Sequence, residues 1–384
     1  MKKWMALTVF LALFIFASFN ATHGTLLNSF IEHYDLETAL QGFPAAAQNI
    51  GCAIALLLSF RLVRSLGKER VLALALCATA LFILPLGFAP SFAWLVCLCG
   101  VIGICVGLID TLASSCIAEM YQGRAGSAML CLLHAIFGAA GVAMPAITNW
   151  AMSAGIAWNH LYFILGGFAL ATLAYTMPVC LKSHSVELLR RDSSSIRFAS
   201  VLDFLKNRDR ALLLVCMALY VCSLSNAQLW TDRYVKNYLG RADLAALSLS
   251  LFWLGLTGSR LSMSFIRISP MTYLRTALPL SGVVLLIGLI TGNPWVICIL
   301  SALASLLSGA TLPLILGELC GRYDGNTLIV TTVSLMFVYT AQCLCPLGVG
   351  ALTTSVGLHT ALYPAVVTSL LAGLVAYMVR RTHA

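Results

Sequence analysis

Twelve stretches of about twenty mostly apolar residues follow one another along the 384-residue chain, and nothing else constrains its fold so tightly. A helix needs about 20 such residues to cross a hydrocarbon core about 30 Å thick. Within that core every backbone N–H and C=O must be bonded inside the protein, which makes the helix the spanning element for runs of this length. The windows fall at 5–28, 40–62, 70–89, 92–118, 126–150, 157–180, 210–232, 244–267, 272–291, 295–318, 327–350 and 356–379. Charged residues make up only 10% of the chain, against about 25% in a soluble domain. Water-soluble enzyme folds are therefore set aside for an all-α membrane protein with the lipid bilayer as its solvent. The start, Lys2-Lys3-Trp4 and then an apolar run, reads as the first span. It is too long for a cleaved signal and lacks a small-x-small site.

A net charge of +9 would suit nucleic acid if it were clustered, but it follows the parity of the loops. With the N-terminus inside, nineteen of the 23 Lys and Arg residues lie in inner segments. Arg233, Lys236 and Arg241 lie outside, and Arg260 is within the eighth span. Positively charged loops face the cytoplasm, so both termini are expected there, in a plasma membrane of the bacterial inner-membrane type, with no nucleic-acid partner. The outer loop after the first span is acidic instead, with Glu32, Asp35 and Glu37. The one long loop, 181–209, separates residues 1–180 from 210–384. It is basic enough to lie against anionic headgroups, and its Ser200–Lys206 stretch is a candidate interfacial helix.

The two halves look related. The fourth span ends in IAEMYQGRAG and the tenth in LGELCGRYDG, which aligns Glu119 with Glu318 and Gly126 with Gly325. Gly51 in the second span has a counterpart in Gly255 of the eighth, each followed by a basic turn. Two pseudo-symmetric six-helix bundles follow, 1–180 and 210–384, of the kind that hold a solute site near mid-membrane. The fourteen cysteines form no CxxC or Cys/His cluster. They read as free thiols acting as small hydrophobes, with neither metal nor cofactor expected. No GxxxxGK[ST] occurs, so ATP is not the energy source.

Ionisable groups inside a membrane are functional candidates because burying them is costly. Asp110 lies nine residues before Glu119, about 13 Å deeper at 1.5 Å per residue. It is a candidate for proton coupling and substrate binding, or for a fixed pair with Arg260. Arg260 is either a charge partner or an anchor of the eighth span. Asn20 and His23 share a face of the first span by their spacing. An amide matches sugar hydroxyls, and an imidazole titrates near neutrality, so Asn20 is a substrate candidate and His23 a substrate and proton candidate, the alternative for both being an interhelical hydrogen bond at the outer end of the span. His134 is a substrate candidate or a buried hydrogen-bonding residue. Ser223, Asn226 and Trp230 follow an i, i+3, i+7 pattern, and an amide beside an indole suits a pyranose. Asn226, Trp230 and Gln342 join the substrate set, with Trp230 equally an interface anchor, while Gln48 and Asn49 are gate residues or interhelical bonds. Glu119, Arg124, Glu318 and Arg322 form a candidate cytoplasmic gate. The recurrence of Gly103, Gly107, Gly138 and Gly141 points to close packing of the fourth span on the fifth.

Five stretches carry a resemblance: NATHGTLL (20–27), LIDTLASS (108–115), LLHAIFGAAGVAMP (132–145), LYVCSLSNAQLW (219–230) and SLFWLGLTGSRL (250–261). Together they resemble the major facilitator superfamily, and within it the fucose/hexose permease-like branch. The resemblance implies the twelve-helix major facilitator fold, a monomer, and a place for Asp110 on the branch's membrane carboxylate. It also shows departures. Gly24 stands where proton-coupled members have a second carboxylate, and Leu224 where the seventh helix has an acidic residue. The expected function is secondary active transport of a small polar solute, a sugar, by alternating access with protons as coupling ion. The alternatives are an efflux antiporter for amphipathic compounds and a transporter of a non-sugar metabolite. An intramembrane hydrolase would need a second deep aspartate or a GxSx serine, and neither is present.

Overall fold

The computed structural model describes residues 2–36, 40, 43–181, 198–323 and 325–380, and every regular element among them is helical. Glu37 of the acidic loop, Lys182, Arg190, Arg191 and Arg197 of the long loop, and Arg381 lie outside the described residues. Twelve helical segments are long and apolar enough to cross a membrane, and they overlap the twelve predicted windows one for one. In chain order the helices are α1 (Lys2–Thr25), α2 (Leu27–Tyr34), α3 (Phe43–Leu66), α4 (Lys68–Leu86), α5 (Phe92–Met120), α6 (Gly123–Ser153) and α7 (Trp158–Leu181). A short α8 (Phe198–Lys206) covers the stretch expected to be helical in the long loop. The rest are α9 (Arg208–Arg233), α10 (Ala242–Phe265), α11 (Pro270–Thr291), α12 (Pro294–Ser308), α13 (Thr311–Gly321), α14 (Thr327–Val356) and α15 (Tyr363–Met378).

Two compact units result. One comprises Met1–Met120, Ala140–Arg197 and Gly325–Thr332, and the other Tyr121–Ala139, Phe198–Asp324 and Val333–Ala384. Thus α6 and α14 each contribute residues to both. In the first unit α3 lies along α5, and α4 along α7. In the second, α10 lies along α12, and α9 and α11 flank α15.

The glycines of α5 do not serve the expected contact with the next span. A Cβ on Gly103 would sit 2.2 Å from the Gln48 carbonyl oxygen, and one on Gly51 2.2 Å from that of Gly100, so the close approach is between α5 and α3. Gly138 of α6 instead meets Thr257 of α10. The reason is geometric: Gly103 and Gly107 lie on one helical face, and that face is the one toward α3. The second unit repeats the device, since a Cβ on Gly255 of α10 would fall 2.3 Å from the Ala302 carbonyl oxygen of α12. Replacing Gly51 by leucine therefore forces two backbones apart. We expect a loss of about 1–3 kcal/mol, the usual cost of overpacking, read as a lower unfolding temperature in detergent.

Two elements depart from the windows. The first span stops at Thr25, with α2 following after a short turn. The tenth span is not one helix: it breaks at Gly309–Ala310 between α12 and α13. Pro313 explains the break. Proline has no N–H and its ring crowds the carbonyl four residues back, which here is that of Gly309.

Candidate functional site

In the first unit α5 is buried along most of its length, and Asp110 is 8% exposed. Its neighbour Thr111 bonds back to the Gly107 carbonyl at 2.8 Å. Asn20 of α1 accepts a hydrogen bond from Gln48 Nε2 of α3 at 2.9 Å, so these amides brace α1 on α3. Gln48 meets α5 at Gly103, seven residues and about 10 Å along the helix from Asp110.

His23 lies elsewhere. Its Nδ1 shares a 2.7 Å hydrogen bond with the Tyr162 hydroxyl, and its Nε2 is 3.5 Å from Cys99 Sγ. Its ring stacks on Phe19 at a centroid distance of 5.4 Å. Cys99 precedes Asp110 by eleven residues on α5, about 16 Å along the helix, so His23 and Asp110 occupy separate levels. Both imidazole nitrogens of His23 are engaged within the unit.

In the second unit the face of α9 that bears Ser223, Asn226 and Trp230 packs on the start of α15. Ser223 donates to the Ala365 carbonyl at 2.7 Å, and Asn226 Nδ2 to that of Ala361 at 3.0 Å. Trp230 belongs to an apolar cluster with Leu285, Leu289, Ala361 and Leu362, and the Arg233 guanidinium lies 5.3 Å from its ring centroid. Asn226 Oδ1 and Trp230 Nε1 are buried without a hydrogen-bond partner among the described residues. They are one helical turn apart, one an acceptor and the other a donor. Beside them Ser223, Ser281, Ser301, Ser305, Ser308 and Ser369 line a cavity of about 20 Å³, room for roughly one water. Gln342 on α14 is half-buried.

Arg260 of α10 is 5% exposed and acts on backbone. Its Nε donates to the Gly309 carbonyl at 3.1 Å and an Nη to the His134 carbonyl at 2.8 Å. The Tyr220 hydroxyl also donates to the Gly309 carbonyl, at 3.2 Å. Tyr273 donates to the Leu307 carbonyl, and Ser259 Oγ accepts from the Ala310 N–H at 3.0 Å. Non-helical backbone at membrane depth persists only where its polar groups are satisfied inside the protein. Side chains of α9, α10 and α11 do that for the break between α12 and α13. His134 enters this network through its main chain, on α6.

Two charge clusters occupy helix ends. Lys68, the first residue of α4, is fully buried and bonds Glu119 of α5, whose side chain is 14% exposed. Thr327 of α14 donates to Glu119 at 2.7 Å and accepts from Lys68 at 3.1 Å. With its one proton on Glu119, Thr327 leaves Ser115 as the donor in their 2.8 Å contact. Glu119 thus holds Lys68, whereas Arg124 is exposed. In the other cluster Arg322 pairs with Glu318 at 2.8 Å and lies 3.7 Å from Asp209.

In the sequence Lys68 reads as one more basic turn residue, and nothing there singles out Thr327, Tyr162, Tyr220 or Tyr273. Only Pro313, four residues after Gly309, signals the broken helix. Among the described residues no group of three His, Cys, Asp or Glu comes together to hold a metal ion.

Comparisons with known proteins match this architecture. A solved structure of a variant of the E. coli fucose:proton symporter FucP superposes with a TM-score of 0.79 at 14% identity, over 98% of each chain. The human organic anion transporter MFSD10 does so at 0.78 and 16% identity, over 98% of this chain and 99% of that one. At such identities the likeness is one of fold. The Saccharomyces cerevisiae protein "Bypass of stop codon protein 6" is 22% identical over 285 residues, 66% of this chain. The chain spans about half of that relative's length, 54%. The sequence profile of the Major Facilitator Superfamily matches residues 9–266, well over half of the chain, and the chain belongs to that family of secondary transporters.

Proposed function

We propose that the chain imports a small polar solute, a sugar, by alternating access, driven by a proton carried on Asp110. The observation that carries this reading is the burial of Asp110 within a spanning helix of a transporter. An ionisable group inside a membrane is costly to keep, and carboxylates so placed serve as proton relays in transporters. Protonated, the group donates to a substrate hydroxyl; ionised, it accepts from one. In the first unit Asn20 and Gln48 supply amides, each with donors and an acceptor. A sugar hydroxyl offers the complement of each.

The distribution of Lys and Arg supports both termini in the cytoplasm. The moving bodies are the halves 1–180 and 210–384. In this scheme Lys68, Glu119 and Thr327 close the cytoplasmic end, with Glu318 and Arg322 as the corresponding cluster of the second half.

The test is uptake of labelled fucose, galactose, glucose and a pentose into cells making the protein, with and without a protonophore. Uphill accumulation of one sugar that the protonophore abolishes is the expected result. In Asp110→Asn accumulation falls to the level of cells lacking the protein, while gradient-independent exchange persists. Absence of uptake for every sugar at normal expression overturns the sugar assignment and favours an exporter of amphipathic compounds or a carrier of a non-sugar metabolite.

A further inference from the structure

All fourteen cysteines are free thiols, most of them buried, and one pair stands apart. Cys345 of α14 donates its Sγ–H toward the Cys222 carbonyl of α9 at 3.3 Å, which packs the two cysteines directly against each other. The pair joins positions 123 residues apart in sequence. Both residues are half-buried rather than sealed. Cys116 and Cys180, by contrast, are buried.

We propose that Cys222 and Cys345 are an oxidant-sensitive thiol pair that closes to a disulfide, tying α9 to α14. With one sulfur 3.3 Å from the partner cysteine's own carbonyl, side-chain rotation is the movement that brings the two sulfurs toward the roughly 2.0 Å of a disulfide, whose Cβ atoms lie about 3.5–4.5 Å apart. The co-reactant is a peroxide small enough to enter a half-open site. The thiolate of one cysteine attacks a peroxide oxygen, breaking the O–O bond, forming a sulfenic acid and releasing hydroxide, which takes up a proton. The partner thiolate then attacks that sulfur and expels the second hydroxide as water. Two thiols and one hydrogen peroxide thus give one disulfide and two waters, with both sulfurs oxidised and the peroxide reduced. A dithiol restores the pair by exchange. The assignment is independent of the transported solute.

The experiment uses the full-length protein in membranes, treated with hydrogen peroxide, capped with maleimide and digested without reduction. Mass spectrometry should find a Cys222–Cys345 linked peptide, lighter by two hydrogens than its parts, that dithiothreitol removes. It should form while Cys116 and Cys180 stay reduced, and it should vanish in Cys222→Ser and in Cys345→Ser. Phenylarsine oxide, which bridges two neighbouring thiols, should protect both cysteines from maleimide in the untreated protein. A link from Cys222 to the exposed Cys343 instead, or both cysteines remaining as reactive to maleimide after peroxide as before, would overturn the assignment.

Discussion

Lys68→Met should lower stability by about 3–5 kcal/mol, the cost of leaving one charge of a buried pair without its partner. The side chain of Lys68 is fully buried and that of Glu119 nearly so, so water cannot compensate for the lost ammonium. Glu119 would keep the Thr327 hydroxyl, one neutral donor for a full charge. The double variant Lys68→Met, Glu119→Leu should recover most of the loss. Removing both charges also removes their desolvation penalty, and apolar replacements of similar volume are often neutral or stabilising. Thermal unfolding in detergent across the four proteins of this cycle reads the coupling directly. Equal and additive losses would mean that the pair is solvated and that its burial has no energetic weight.

Arg260→Met should cost about 2–4 kcal/mol, since it strips charge-assisted donors from two main-chain carbonyls. Arg260→Lys should rescue little of this. The guanidinium reaches Gly309 and His134 from two separate nitrogens, and an ammonium is a point charge without that fork. The decisive comparison adds Pro313→Ala to Arg260→Met. Alanine restores the N–H that the Gly309 carbonyl lacks, so the two changes together should be more stable than Arg260→Met alone. If Pro313→Ala leaves the Arg260→Met loss untouched, the arginine is not a substitute for the proline's missing donor. Tyr220→Phe should cost about 1 kcal/mol by itself. It should cost more beside Arg260→Met, because the Gly309 carbonyl then loses both donors.

The spans are legible because lipid makes one demand, about twenty apolar residues each, and the sequence meets it twelve times. The close helix pairs are legible only as glycine spacing. Gly103 and Gly107 announce a backbone contact, but the choice of α3 over the next span depends on helix rotation. In a bilayer every face of a span is apolar, so no polar side marks which way the helix turns. The same limit applies to polar residues. Ser223, Asn226 and Trp230 do share one face, yet that face lies on α15. His23 reads as a titrating residue from its type, whereas Tyr162, 139 residues away, sets its surroundings. Lys68 stays hidden because a basic turn at a membrane surface is the commonest explanation for a lysine there. Nothing local reveals that α5 delivers Glu119 to it.

The broken tenth span has a consequence for how the protein is made. Neither α12, with 15 residues, nor α13, with 11, is long enough to cross a bilayer alone. They must therefore enter the membrane as one interrupted segment, with main-chain groups at the interruption still unbonded. Tyr220, Ser259, Arg260 and Tyr273 all precede Gly309 in the chain, so the ribosome delivers every side chain that seals the gap before the gap itself. A nascent chain halted after α11 would hold Arg260 with the His134 carbonyl but without that of Gly309. It should be a better substrate for membrane quality-control proteases than a chain halted a few dozen residues later.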